Sequence, residues 1–205
     1  MKLYEMAAAP NPRRVRMFLA EKGLLGHIKT VELDLKKGEH LTPEFAKLNP
    51  MKRVPVLELP DGATLAETMA ICRYFEAQFP KTPNLLGHNS FEIAYVEQWL
   101  RWLEFNFFLP VGMAFQHLTD YFAETKTQHT GWGEECKQNA VAFLNFLNDE
   151  LKDSEWLCLN RISAADITAF CTLEFARVVD IRIQPEHKHL NKWYQRMAKR
   201  DSANV

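Results

Sequence analysis

No two cysteines stand two residues apart in this sequence. Cys72, Cys136, Cys158 and Cys171 have neither redox-motif nor metal-ligand spacing, which excludes an enzyme working through a CxxC dithiol and gives no reason to expect a metal. All but Cys136 lie in apolar surroundings, so the four read as reduced thiols in a cytoplasm. Long apolar runs are missing too. Phe107 to Phe115 is interrupted by Pro110 and Gly112, and no basic N-terminal segment leads into a long apolar one, so neither secretion nor membrane spanning is expected. A surplus of one charge is also absent. Twenty-five Lys plus Arg against 26 Asp plus Glu leave a net −1, without the broad positive field that holds nucleic acid. What is present is a globular composition: 205 residues, 47% hydrophobic and 25% charged, enough for one large or two modest domains.

The first eighty residues alternate between the two periods. Residues 2 to 6 suit a strand, and Pro10-Asn11-Pro12 precedes an apolar helical stripe at Val15, Phe18 and Leu19. Val31, Leu33 and Leu35 alternate with acids as in a half-buried strand, ended by Gly38. A short irregular helix fits Pro43 to Leu48. Residues 54 to 59 and 63 to 67 flank Pro60-Asp61-Gly62, a turn in which Pro presets φ and Gly accepts a positive one. From Thr68 to Pro80 the period is helical again. The order β-α-β-α-β-β-α implies a mixed sheet with helices on both faces. Strands are lacking beyond residue 80: Phe91 to Phe122, Trp132 to Lys152, Ser163 to Val178 and Leu190 to Arg200 all carry helical periodicity. The expectation is an α/β domain over 1–80, a linker over 81–87 and an all-helical domain over 88–205. Ser163-Ala164-Ala165-Asp166 forms a capping-box variant, with Ile162 and Ile167 as its hydrophobic staple.

Five segments together resemble the soluble glutathione S-transferases, in their bacterial theta-like and nu-like part. They are PNPRRVRMFLAEKG (10–23), GEHLTPEF (38–45), NPMKRVPVLEL (49–59), ETMAICRYFE (67–76) and ISAADIT (162–168). The resemblance implies a thioredoxin-like N-terminal domain that binds glutathione as co-substrate, a helical C-terminal domain that helps form an apolar electrophile pocket, and a homodimer.

It also implies roles for particular residues. Glu67-Thr68 opens a predicted helix, whose free N–H groups and dipole suit the γ-glutamyl carboxylate; Glu67 would accept from the ligand ammonium. Val54-Pro55 would be cis, with the Val54 backbone pairing with the cysteinyl unit in a one-residue β-augmentation. His40 and Arg53 would hold the glycyl carboxylate. Lys52, where related sequences often have Gly, reads as surface charge, and Arg13, Arg14 and Arg16 as a solvated helix face. The departure is at Ala9-Pro10, where many relatives read Ser-Pro: the hydroxyl that would bond the thiolate is missing. No Cys is near, and Tyr4 lies within a strand. Asn11 remains, as in nu-like relatives, either a side-chain amide donor to the sulfur or merely an N-cap ahead of Pro12. The aromatic stretch from Trp99 to Phe115 reads as helix core, subunit interface or pocket lining. A transferase presenting glutathione thiolate to an electrophile is the leading reading. A glutathione-dependent disulfide reductase or peroxidase, and a non-catalytic glutathione-binding regulator, are the alternatives.

Overall fold

The computed structural model describes all 205 residues. They divide into two compact units, Met1–Leu85 with Asp201–Val205, and Leu86–Arg200.

The first unit is built on four short strands, β1 (Lys2–Glu5), β2 (Lys29–Glu32), β3 (Val56–Glu58) and β4 (Thr64–Ala66), in the order β2-β1-β3-β4. β1 and β2 run parallel; β3 is antiparallel to both β1 and β4. Three helices accompany them: α1 (Pro10–Glu21), α2 (Pro43–Leu48) and α3 (Thr68–Gln78). Alternate residues of a strand face opposite sides. Glu5 reaches Arg16 of α1 on the side of Leu3, whereas Tyr4 meets Phe45 of α2 edge-on at 6.2 Å. The sheet is thus sandwiched, with a core that includes Leu3, Val15, Phe18, Leu57, Ile71 and Phe75. This is the mixed sheet the alternation implied and the thioredoxin-like architecture the family resemblance implied.

β2 ends earlier than the 31–35 alternation suggests. Leu33 N–H still reaches Glu5 O at 2.7 Å, but Asp34 then turns its carboxylate onto the amides of Lys36 and Lys37, at 3.0 and 3.1 Å. A side chain that captures nearby N–H groups replaces the ladder with a turn. β3 starts only at Val56, because Pro55 has no N–H to give a ladder. The last five residues pack with this unit: Arg13 Nη2 donates to Ala203 O at 2.8 Å, and the Ser202 hydroxyl donates to the Glu21 carboxylate.

The second unit is all-helical: α4 (Ser90–Leu103), α5 (Leu109–Leu118), α6 (Thr130–Glu150), α7 (Ala164–Ala176) and α8 (Lys188–Ala198). The single helix expected over Phe91 to Phe122 is instead divided by a π-helical stretch, Glu104–Phe108. Pro110 lacks an N–H and its ring crowds the carbonyl four residues back. The chain widens there, and Asn106 Nδ2 donates to the Trp102 carbonyl at 3.0 Å. Trp99 and Phe107 are fully buried, packed against Phe146 and Phe143 respectively, while Phe105 is 59% exposed. The capping box at α7 forms as expected: the Ser163 side chain accepts from Ala165 N–H and Asp166 accepts from Ser163 N–H. No helix is long and apolar enough to cross a membrane.

Candidate functional site

The register of the sheet gathers the candidate residues at one end of the first unit. Tyr4 pairs with Val56, and Val56 pairs with Ala66. The chain leaving β1 toward α1, the Val54-Pro55 step entering β3 and the Glu67-Thr68 step leaving β4 therefore emerge side by side.

At the first of these, α1 begins with Ala9 in the N-cap position and Pro10 as its first residue. Asn11 lies inside the first turn, so its reading as an N-cap ahead of Pro12 does not hold. The Asn11 side-chain oxygen accepts from Arg14 Nη2. Its amide nitrogen is therefore turned away from Arg14 and retains its two donors. Pro10 and Pro12 carry no N–H, Ala9 N–H donates to Met6 O at 2.9 Å, and Arg13 N–H donates to Ala9 O at 3.3 Å. Of the donors that open a helix, this one keeps only the Asn11 N–H.

The arginines of α1 are not a solvated face. Arg14 and Arg16 are 8% and 9% exposed, because α1 turns them inward: Arg14 onto Asn11, and Arg16 onto the Glu5 carboxylate and Ala7 O. Tyr4 is excluded as a thiol partner by its own bond, O–H to Glu58 Oε2 at 2.6 Å; that bond also holds its pKa above the ordinary phenol value.

Thr68 is buried at the start of α3, and its hydroxyl donates to Asn11 O at 3.4 Å, joining the two helix starts. Glu67 is exposed and takes φ 70°, ψ 122°, a conformation that costs a non-glycine residue about 1–3 kcal/mol and gathers at ligand sites. The Val54-Pro55 bond is cis, with Val54 half-buried and Pro55 buried. The turn before it is set by Asn49, 3% exposed. Its Nδ2 donates to Arg53 O at 2.8 Å and its Oδ1 accepts from Met51 N–H at 3.0 Å. Lys52 sits at φ 53°, a left-handed position that explains why glycine suits it. Arg53 is exposed. His40 is half-buried with a buried, unpartnered Nδ1, and desolvation pushes its pKa below the usual imidazole value. Asn49 and Arg14 carry no local sequence signal of a role here; only their partners reveal one.

The four cysteines are free. Cys136 is as buried as Cys72 and Cys171, contrary to its more polar sequence context, and burial pushes the Cys158 thiol up to about 12 against the downward pull of its hydrogen bond with Ser163. None is suited to serve as a nucleophile.

A thioredoxin-like sheet joined to a helical unit, with backbone segments and helix starts gathered at one sheet end, is the two-unit architecture that the family resemblance implied. Residues 8–78 match the family of the glutathione S-transferase N-terminal domain, and residues 133–201 that of the glutathione S-transferase C-terminal domain. Glutathione S-transferase 2 of Saccharomyces cerevisiae is 34% identical over 204 residues, 98% of this chain and 87% of the yeast protein. The crystal structure of Gtt2 from that yeast superposes with a TM-score of 0.94 at 34% identity, covering 100% of this chain and 99% of the other. A glutathione S-transferase domain-containing protein from Marinobacter aquaeolei VT8 gives 0.94 at 36% identity over 98% and 99% of the two chains. The chain belongs to the glutathione S-transferase family.

Proposed function

We propose that this glutathione transferase activates its co-substrate with Asn11 alone of the side chains at the α1 start. The reading rests on one observation: with Ala at position 9 and prolines on both sides, Asn11 supplies the free backbone N–H and the free side-chain donor of that helix start. A thiol near pKa 8.5 needs about 2.7 kcal/mol of differential stabilisation to fall by two units. A hydrogen bond to a charged group contributes about 1.5–3 kcal/mol and a helix N-terminus about 0.3–1. The two Asn11 donors meet that requirement without a hydroxyl.

The rest of the tripeptide follows the sheet. The Val54 backbone pairs with the cysteinyl unit. Thr68, whose hydroxyl turns from its long 3.4 Å bond to Asn11 O toward the ligand, and the α3 start bind the γ-glutamyl carboxylate while Glu67 accepts from the ammonium. Arg53, with the neutral His40 imidazole, meets the glycyl carboxylate. The resulting thiolate attacks a small apolar electrophile, and free thiols suit a reducing cytoplasm. A second copy completes the enzyme. Phe91, Tyr95, Trp102, Phe105 and Leu109 recur at helical spacing along α4, the π-helical stretch and the start of α5, with Phe91 72% exposed and stacked on Tyr95 at 5.6 Å. That apolar stripe supports a homodimer face.

Spectroscopic thiolate titration of the glutathione complex tests the thiol assignment. In Asn11→Ala the bound thiol's pKa should rise by about one unit or more, the equivalent of about 1.4 kcal/mol; an unchanged pKa rejects Asn11. In the same series Thr68→Val should weaken glutathione binding about tenfold or more, measured by calorimetry. Unaltered affinity would remove Thr68 from the carboxylate site.

A further inference from the structure

The loop joining β1 to α1 stands where a relative's hydroxyl would stand, yet residues 7–9 are all alanine. Methyl groups give a loop no anchor, and Ala7 and Ala8 are exposed. The backbone is nevertheless fixed, because side chains from two other elements hold Ala7 on both sides. Its N–H donates to both carboxylate oxygens of Glu32, at 3.0 and 3.1 Å. Its C=O accepts from Arg16 Nη2 at 2.9 Å, and Arg16 is in turn paired with Glu5. Glu32 is the last residue of β2 and lies opposite Glu5 in the parallel register, so the sheet itself sets the position of both acids.

We propose that Glu32 is a positioning residue for thiol activation, its carboxylate gripping the Ala7 amide so that the start of α1 meets the glutathione sulfur at a fixed distance. A carboxylate suits the task because a charge-assisted bond is about twice as strong as a neutral one. The Arg16 bond to the carbonyl of the same residue prevents the peptide from swinging. In a site without a hydroxyl, thiol activation falls to donors that belong to or follow this loop, and such donors are effective only when their placement is preset. The proposal rests on the reading that the sulfur lies at the α1 start.

Three measurements on Glu32→Ala and Glu32→Gln decide it: amide exchange at Ala7, thiolate titration of bound glutathione, and kcat with glutathione affinity measured separately. Glu32→Ala should speed Ala7 exchange, raise the thiol pKa, and lower kcat about three- to tenfold, up to about 1.4 kcal/mol of barrier. Glutathione affinity should stay within about twofold, since Glu32 makes no contact that the ligand needs. Glu32→Gln retains one acceptor for the Ala7 N–H but loses the charge assistance, and should fall between the parent enzyme and Glu32→Ala on all three measurements. Faster exchange in Glu32→Ala with unaltered thiol pKa and kcat would overturn the proposal, as would equal defects in both variants, which would point to charge rather than placement. If the parent enzyme itself leaves the bound thiol at its free pKa, the reading of the whole site fails and the role of Glu32 with it; insensitivity confined to the variants sinks Glu32 alone.

Discussion

Replacing Asp166 by alanine should cost the second unit more than any other single change at its surface or in its caps. The carboxyl group is fully buried and accepts four bonds: Leu157 N–H at 3.0 Å and Trp193 Nε1–H at 2.9 Å on Oδ1, Ser163 N–H at 3.0 Å and Ser163 O–H at 2.9 Å on Oδ2. Desolvation pushes its pKa up while these donors pull it down. One residue thus caps α7, anchors the chain entering it and fixes α8 through an indole. Alanine would leave two buried amides and the indole N–H without an acceptor, at about 1–3 kcal/mol each. Relief from burying the acid offsets part of that, so a net loss of about 3–5 kcal/mol is expected. In a chain of this size that is a fall of about 6–20 °C in melting temperature. Circular dichroism melts with parallel urea titrations measure it. Asp166→Asn, which keeps one acceptor oxygen but faces the other donors with an NH2, should fall between. A melting temperature for Asp166→Ala within about 3 °C of the parent would refute the account, because fewer than about 1.5 kcal/mol would then depend on all four bonds.

Two further outcomes are expected. Glu92 accepts from Arg161 Nη2 at 2.5 Å and from His88 N–H at 2.9 Å, which hold its pKa at about 2. Its folded pKa lies below the unfolded value, so the contribution is complete above about pH 4.3 and is lost as pH falls toward 2. Glu92→Gln should therefore melt below the parent at pH 6 and converge with it near pH 2; a gap independent of pH would reject the pairing as its cause. For the apolar stripe, Phe105→Lys should convert a sedimenting species of twice 23.8 kDa to monomer. A parent enzyme that is monomeric at assay concentration would remove the homodimer face.

The element order, the change from mixed sheet to all-helical chain, and the capping box at Ser163-Asp166 were legible because each depends on local periodicity or on residues within a turn of one another. The family resemblance was legible for a related reason, since it rests on several short segments in fixed order. The π-helical stretch before Pro110 and the early end of β2 at Asp34 were not, because both depend on competition among backbone donors that apolar spacing does not report. The same limit applied at the site. Arg14 and Arg16 read as a solvated face, since three arginines in four positions look alike whichever way the helix turns. Asn11 read equally well as a cap.

By itself, then, the sequence determined which residue types stand near the thiol: alanine where a hydroxyl is usual, and an asparagine between two prolines. Only the tertiary structure decided what those residues can do. Which way the Asn11 amide donors point depends on Arg14 taking its oxygen, and whether an all-alanine loop stays fixed depends on Glu32, a strand away in space and 25 residues away in the chain. A hydrogen bond needs its partner within about 3 Å, and for groups on different elements no spacing along the chain carries that distance; the register of the sheet does.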